Sequence, residues 1–206
     1  LFGKINFVKR KNSYIFVSTK KQNTIMGLDM YLHKKTYVKN WEHMSPEELH
    51  EITVKKNGQE VPHIKKERIS SIEESVAYWR KANHIHQWFV ENVQGGEDNC
   101  REYYVDREQL RELVDTCKKV KESLENSPKK KVRMEVGWQN GEKMYDDVEV
   151  FEDTSLAEEL LPTQPGFFFG GTEYDQWYIK DLDNTINQLE PLLEEKGGDF
   201  YYQSSW

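Results

Sequence analysis

No run of apolar residues in this 206-residue chain approaches the ~20 that a membrane-crossing helix requires. Cysteine is scarce: the two residues, Cys100 and Cys117, cannot staple a fold of this length, which points to a reducing, cytosolic setting. A basic excess is missing too. Against 29 Lys and Arg stand 36 Asp and Glu, a net charge of −7 that argues against broad binding to nucleic-acid phosphates. The chain has no His-Glu-x-x-His, no paired Cys-x-x-Cys and neither glycine-rich phosphate motif, so no metal, cofactor or catalytic class is assigned. Aliphatic residues are thin as well. Aromatic residues make up 13% of the chain and six are Trp, so the core must be built largely from rings.

What charge there is lies unevenly. Residues 1–25 hold Lys4, Lys9, Arg10, Lys11, Lys20 and Lys21 and no acid, a net of +6 that leaves −13 for the rest. Two readings of this segment stand side by side. Ile5–Val8 and Tyr14–Val17 can form a hairpin with a basic turn. Alternatively, Met26 is the natural start and residues 1–25 are a basic extension upstream of it. On the second reading, their removal is expected to leave the fold and any ligand binding intact.

From Met26 onward the patterns are clearer. Leu28, Met30 and Leu32 alternate with Asp29, Tyr31 and His33, the period of a strand with one apolar face. Ser45-Pro46-Glu47-Glu48 has the cap, proline and acid of a helix start, and Asn57-Gly58 marks a turn soon after. A long helix is predicted over 71–93, ending at Gly95-Gly96. On it Ile72, Val76, Trp79, Asn83, His86, Val90 and Val93 share one stripe at about 100° per residue. Asp106 and Gln109 cap a third helix with a one-sided stripe, Leu110, Leu113, Val114, Cys117, Val120 and Leu124, which makes Cys117 a core residue.

Val132, Met134, Val136 and Trp138 alternate before Asn140-Gly141, with Val148 and Val150 beyond, a hairpin signal. Leu156–Leu161 reads as a helical turn stopped by Pro162. A final helix is expected from about Glu173, with Thr172 as its cap and Asp175 at its third position. Pro191 is expected to kink it or end it early. Residues 200–206 read as a strand. Together these predict an α+β fold: a single domain over 26–206, a small, mostly antiparallel sheet packed with three to four helices, and a hairpin insertion near 131–151.

Two places invite chemistry. On the predicted 71–93 helix, Asn83 and His86 fall among apolar positions, where an unpartnered polar group costs ~1–3 kcal/mol. Either backbone carbonyls satisfy them, or they line a pocket with Trp79 as a flat wall and Arg80 beside it. His84 and His86 point roughly 200° apart on a helix, so they cannot share a metal ion. The other place is the loop Gly166–Thr172, where three Phe flanked by glycines precede a helix N-terminus that can seat an anion. Glu173 and Asp175 compete for that seat. The candidate ligand-binding residues are therefore Asp29, Tyr31, Trp79, Arg80, Asn83, His86, Tyr103, Phe168, Glu173 and Trp177. Cys100, without a nucleophile signature around it, reads as a loop thiol.

Several strings are distinctive as wholes: Met26-Gly27-Leu28-Asp29-Met30-Tyr31-Leu32, Tyr78-Trp79-Arg80-Lys81-Ala82-Asn83-His84-Ile85-His86-Gln87-Trp88-Phe89, and Cys100-Arg101-Glu102-Tyr103-Tyr104-Val105. Others are Glu159–Thr163, Phe167–Gly170, Thr172–Tyr178 and the ending Tyr201–Trp206. On these strings the chain resembles a family of bacteriophage and prophage proteins, also carried by bacterial hosts, to which no activity is attached. Residues 1–25 and the Val132–Val150 hairpin lie outside the resemblance. It implies a phage or mobile-element setting in a bacterial cytoplasm; no catalytic residue transfers.

Three classes of function stay open on this reading. The first is a phage-encoded protein that binds a small planar ligand and sequesters a nucleotide-derived bacterial immune signal, since rings and a few convergent polar groups hold such ligands. The second is an acidic interaction protein that inhibits a bacterial defence enzyme, its −13 body acting on the basic surface of that host defence protein as a mimic of nucleic acid. The third is a small cytosolic enzyme using Asp29, His86 or Glu173 as acid–base groups. Self-association is left open. Membrane contact is not expected, and nucleic-acid binding is disfavoured by charge.

Overall fold

The computed structural model describes residues 27–206 except 140 and 167. Both readings of residues 1–25, the Met26 start and the ring of Phe167 lie outside the described residues.

Strand β1 (Asp29–Tyr37) shows the expected alternation, with Met30 and Leu32 fully buried between half-buried neighbours. It pairs antiparallel with β4 (Ser71–Arg80) on one side and β8 (Asp199–Ser205) on the other, and β5 (Tyr103–Val105) closes the far edge. The order is thus β4-β1-β8-β5, antiparallel throughout. One face carries Met30, Leu32, Ala77, Trp79, Phe200 and Tyr202 into the core. The tail is a strand, as its alternation predicts, and its pairing on both sides makes it internal to the sheet. Tyr202 stacks on Phe89 with ring centroids 3.9 Å apart.

The expected 71–93 helix is corrected. Its first half is β4, and the helix, α1 (Asn83–Asn92), begins only after a turn at Lys81, whose φ of 62° no α-helix accepts. The cause is a β-bulge. Leu32 pairs with Ala77 and His33 with Ser75, which leaves Val76 as an extra residue. The bulge switches which residues face the core, so the apolar positions Ile72, Val76 and Trp79 fall four and three apart, the spacing of a helix. The far edge of β4 is covered in part by Gln188, which accepts from the Tyr78 N–H (2.8 Å) and donates to the Tyr78 carbonyl (3.2 Å). Trp79 accordingly leaves the predicted helical stripe. The α1 end is as expected, with Gly95 and Gly96 both at positive φ and the Gly96 N–H bonded to the Val90 carbonyl.

Helix α2 (Arg107–Glu125) buries all six residues of its stripe, Cys117 among them, and is capped reciprocally by Asp106 and Gln109. It packs against α4 (Gln176–Glu194). Here the predicted start is corrected by three residues: Asp175 is the cap, accepting from the Trp177 and Tyr178 N–H groups at 2.7 and 3.1 Å. Thr172 cannot serve, because its carbonyl accepts from Thr163 Oγ1 and the chain beyond it bridges Val150 at Asp175. Pro191 stands in the last turn, where its missing N–H removes a single helical bond, and α4 runs three residues past it.

The remaining elements are local. Ser45-Pro46 opens only a single 3-10 turn, Pro46–Glu48, where Glu48 accepts from the Ser45 N–H (2.8 Å). Asn57-Gly58 closes a two-residue-per-strand hairpin, β2 (Lys55–Lys56) and β3 (Gln59–Glu60), with both turn residues at positive φ. Strands β6 (Lys129–Gln139) and β7 (Glu142–Phe151) form the expected hairpin, and α3 (Ser155–Leu160) the helical turn before Pro162. The fold is α+β. No helix among the described residues is long and apolar enough to cross a membrane.

Candidate functional site

The joint between β4 and α1 is held from two sides. The Lys81 N–H bonds to the Leu28 carbonyl at 2.8 Å, and the loop at Gly170 presses against the Lys81 carbonyl. A Cβ on Gly170 would stand 2.5 Å from that oxygen, at a φ of +105°. Asn83 then fastens the loop to α1. Its amide donates to the Phe169 and Gly171 carbonyls (3.2 and 2.8 Å), and its side-chain oxygen accepts from the Gln164 N–H (2.9 Å). No side chain among the described residues caps α1, whose cap position is Ala82.

Between this joint and the first turns of α4 lies a cavity of about 280 Å³. Arg80, Lys81, Asn83 and His84 form one side; Gly170, Gly171 and Glu173 come from the loop; Asp175, Trp177, Tyr178 and Asp181 complete it from the α4 end. His84 is 3% exposed and its ring lies tilted against Tyr178 with centroids 4.2 Å apart, and its buried Nε2 has no hydrogen-bond partner among the described residues. Burial lowers its pKa to about 3, so the imidazole is neutral at physiological pH. Burial, with the nearby Asp175 carboxylate, raises Asp181 to about 7, where it can accept or donate a proton. Trp177 remains 60% exposed at the rim, with the Lys180 ammonium 4.8 Å from its ring centre. A hollow of about 570 Å³ in the 38–70 excursion is larger, but the buried side-chain atoms without a partner, on His84, Gln94 and Ser204, all lie elsewhere.

Four of the ten candidates from the sequence line the cavity: Arg80, Asn83, Glu173 and Trp177. The other six do not. Trp79 points into the core, donating to Thr185 Oγ1 at 2.9 Å, because β4 rather than a helix carries it. Asp29 and Tyr31 lie on the opposite sheet face, where Asp29 accepts from the Tyr78 hydroxyl and Tyr31 rests against Tyr78. Tyr103 sits on the edge strand, its hydroxyl accepting from Asn99. Phe168, at a φ of 62°, backs against Gly27. His86 is satisfied elsewhere: Nδ1 meets the Tyr202 hydroxyl at 2.8 Å and Nε2 meets Asp98 at 3.0 Å, while Asp98 also accepts from the Trp206 indole.

Sequence reasoning missed His84 and Asp181. His84 was considered only as a metal partner for His86; no three His, Cys, Asp or Glu side chains converge as a metal site among the described residues. Asp181 had a readable signal, since it falls between Tyr178, Leu182 and Thr185 on the buried side of α4. No family model, curated protein or solved structure matches the chain.

Proposed function

We propose that the chain binds a small planar ligand in the cavity between α1 and α4 and, in a bacteriophage setting in the bacterial cytoplasm, sequesters a nucleotide-derived signal. The observation that carries the binding reading is that His84, 3% exposed and with a ring nitrogen that no described residue answers, lines the cavity. The other lining groups sort by chemistry. Trp177 offers a stacking face, Glu173 and Asp181 accept from the edge of a heterocycle, and Arg80, Lys81 and the uncapped start of α1 favour an anionic group. A nucleotide combines a donor-bearing ring with phosphate, which fits a wall that is acidic at one end and basic at the other. The phage setting rests on the sequence resemblance.

Native mass spectrometry of the protein purified from bacterial cells tests this reading. A retained small molecule is expected on the parent chain and not on His84→Phe. An empty parent chain that also fails to take up added nucleoside monophosphates would sink it.

A further inference from the structure

We propose that the groove between the β6–β7 hairpin and the start of α4 docks a basic peptide segment of a partner protein through an apolar anchor. Among the described residues the hairpin strands pair only with each other and, at the base, with Asp175. Strands of this length reach about 30 Å, and an isolated two-stranded ribbon is marginal in water. It nevertheless leaves apolar side chains bare: Val136 is 51% exposed and Met144 42%. Across from it Trp177 is 60% exposed. Val136 and Trp177 flank a groove of about 800 Å³ whose hairpin wall also includes Met134 and Val148. Val132 and Tyr145 on the same hairpin are exposed as well, and a cluster of bare apolar side chains on one element marks an interaction site.

The charge around this apolar strip selects the occupant. Glu135, Asp146, Asp147 and Glu149 line the groove from the hairpin and Glu173 from the loop, against Lys131 as the one cation that the described residues bring to the lining. Glu135 is already paired with Lys143 at 2.7 Å, whereas Glu149 and Glu173 have no partner among the described residues. Nucleic acid, with its continuous phosphate backbone, is disfavoured by such a rim. A peptide with Lys or Arg flanking a large apolar residue satisfies both features, the apolar residue on the Met134–Val136–Trp177 strip and the cations on the rim. Methionine suits such a strip because its side chain adapts to different anchors. The groove shares Gly170, Gly171, Glu173 and Trp177 with the cavity, so a docked segment would lie across the cavity mouth; the docking itself does not depend on what the cavity holds.

Fluorescence anisotropy with the full chain tests this, using a labelled amphipathic Lys/Leu peptide and a Lys/Ser peptide of equal length and charge. The Lys/Leu peptide is expected to bind at least ~tenfold more tightly. Val136→Lys and Glu149→Lys, both on the exposed hairpin and checked for unchanged thermal unfolding, are each expected to weaken it by roughly tenfold, and added salt to weaken it further. Equal binding of the two peptides, or full binding by folded variants, would overturn the proposal. So would carbodiimide crosslinks from lysines of residues 1–25 to Glu149 in the free chain, which would give the groove to the chain's own segment. Concentration-dependent dimerisation abolished by Val136→Lys would likewise give it to a second copy.

Discussion

His84 sits in α1 with 3% of its surface exposed, and no described residue answers its Nε2, while His86 two residues on is bonded at both nitrogens. A buried polar atom without a partner costs ~1–3 kcal/mol, so replacing it with an apolar ring of similar shape should relieve that cost. His84→Phe keeps the ring contact with Tyr178 and is expected to leave stability in urea unchanged or raised by ~1 kcal/mol. The gain should grow on acidification. Unfolded, the imidazole takes a proton near its ordinary value of 6.5; folded, only near 3. Between those values the unfolded state binds more protons, so the parent loses stability as pH falls through that window, and the variant is spared this loss. Asp181 runs the other way: folded near 7 against an ordinary 3.8, it contributes most below 3.8 and loses that contribution as pH rises through 7. Both proteins keep Asp181, so it cancels in their difference. A variant that is less stable than the parent at every pH would mean that His84 is a structural residue.

At the scale of elements, the cavity exists because the loop 166–171 is pinned to the β4–α1 joint. Gly170→Ala would drive a Cβ to 2.5 Å from the Lys81 carbonyl at a φ of +105°, and strain of that kind costs of order 1–3 kcal/mol. Gly171→Ala meets nothing within 4 Å and should stay within about 0.5 kcal/mol of the parent. Urea unfolding of the two variants checks the contrast, and equal losses would show that the loop is not pinned at Gly170. Which elements were legible follows from the same local physics. The stripe of α2 was readable because one side of it alone meets the core. Strand β4 was not, because the bulge at Val76 shifts apolar residues onto helical spacing and the turn at Lys81 uses no Gly, Asn or Pro. The site was legible in part for the same reason. Arg80 and Asn83 flank that turn and so line the cavity, whereas Trp79 was placed there only by the false helix.

Across the described molecule, β8 lies between β1 and the short edge strand β5, so the sheet that supports α1 depends on pairing between the two ends of the described chain. No local pattern states such a long-range partner. The core that results from it, Phe89 on Tyr202 and Trp79 against Phe89, holds α1 from below while the pinned loop holds it from above. His84 is thus presented to the cavity by a rigid frame, as a pre-formed binding site requires. A long-range ¹H–¹⁵N correlation spectrum of the histidine rings reads this directly, before and after addition of the dialysable fraction of a bacterial lysate. The Nε2 signal of His84 should move as it gains a hydrogen-bond partner, while both nitrogens of His86, already engaged by Tyr202 and Asp98, stay in place. A His84 signal that is unchanged in the folded protein would contradict ligand binding at this site.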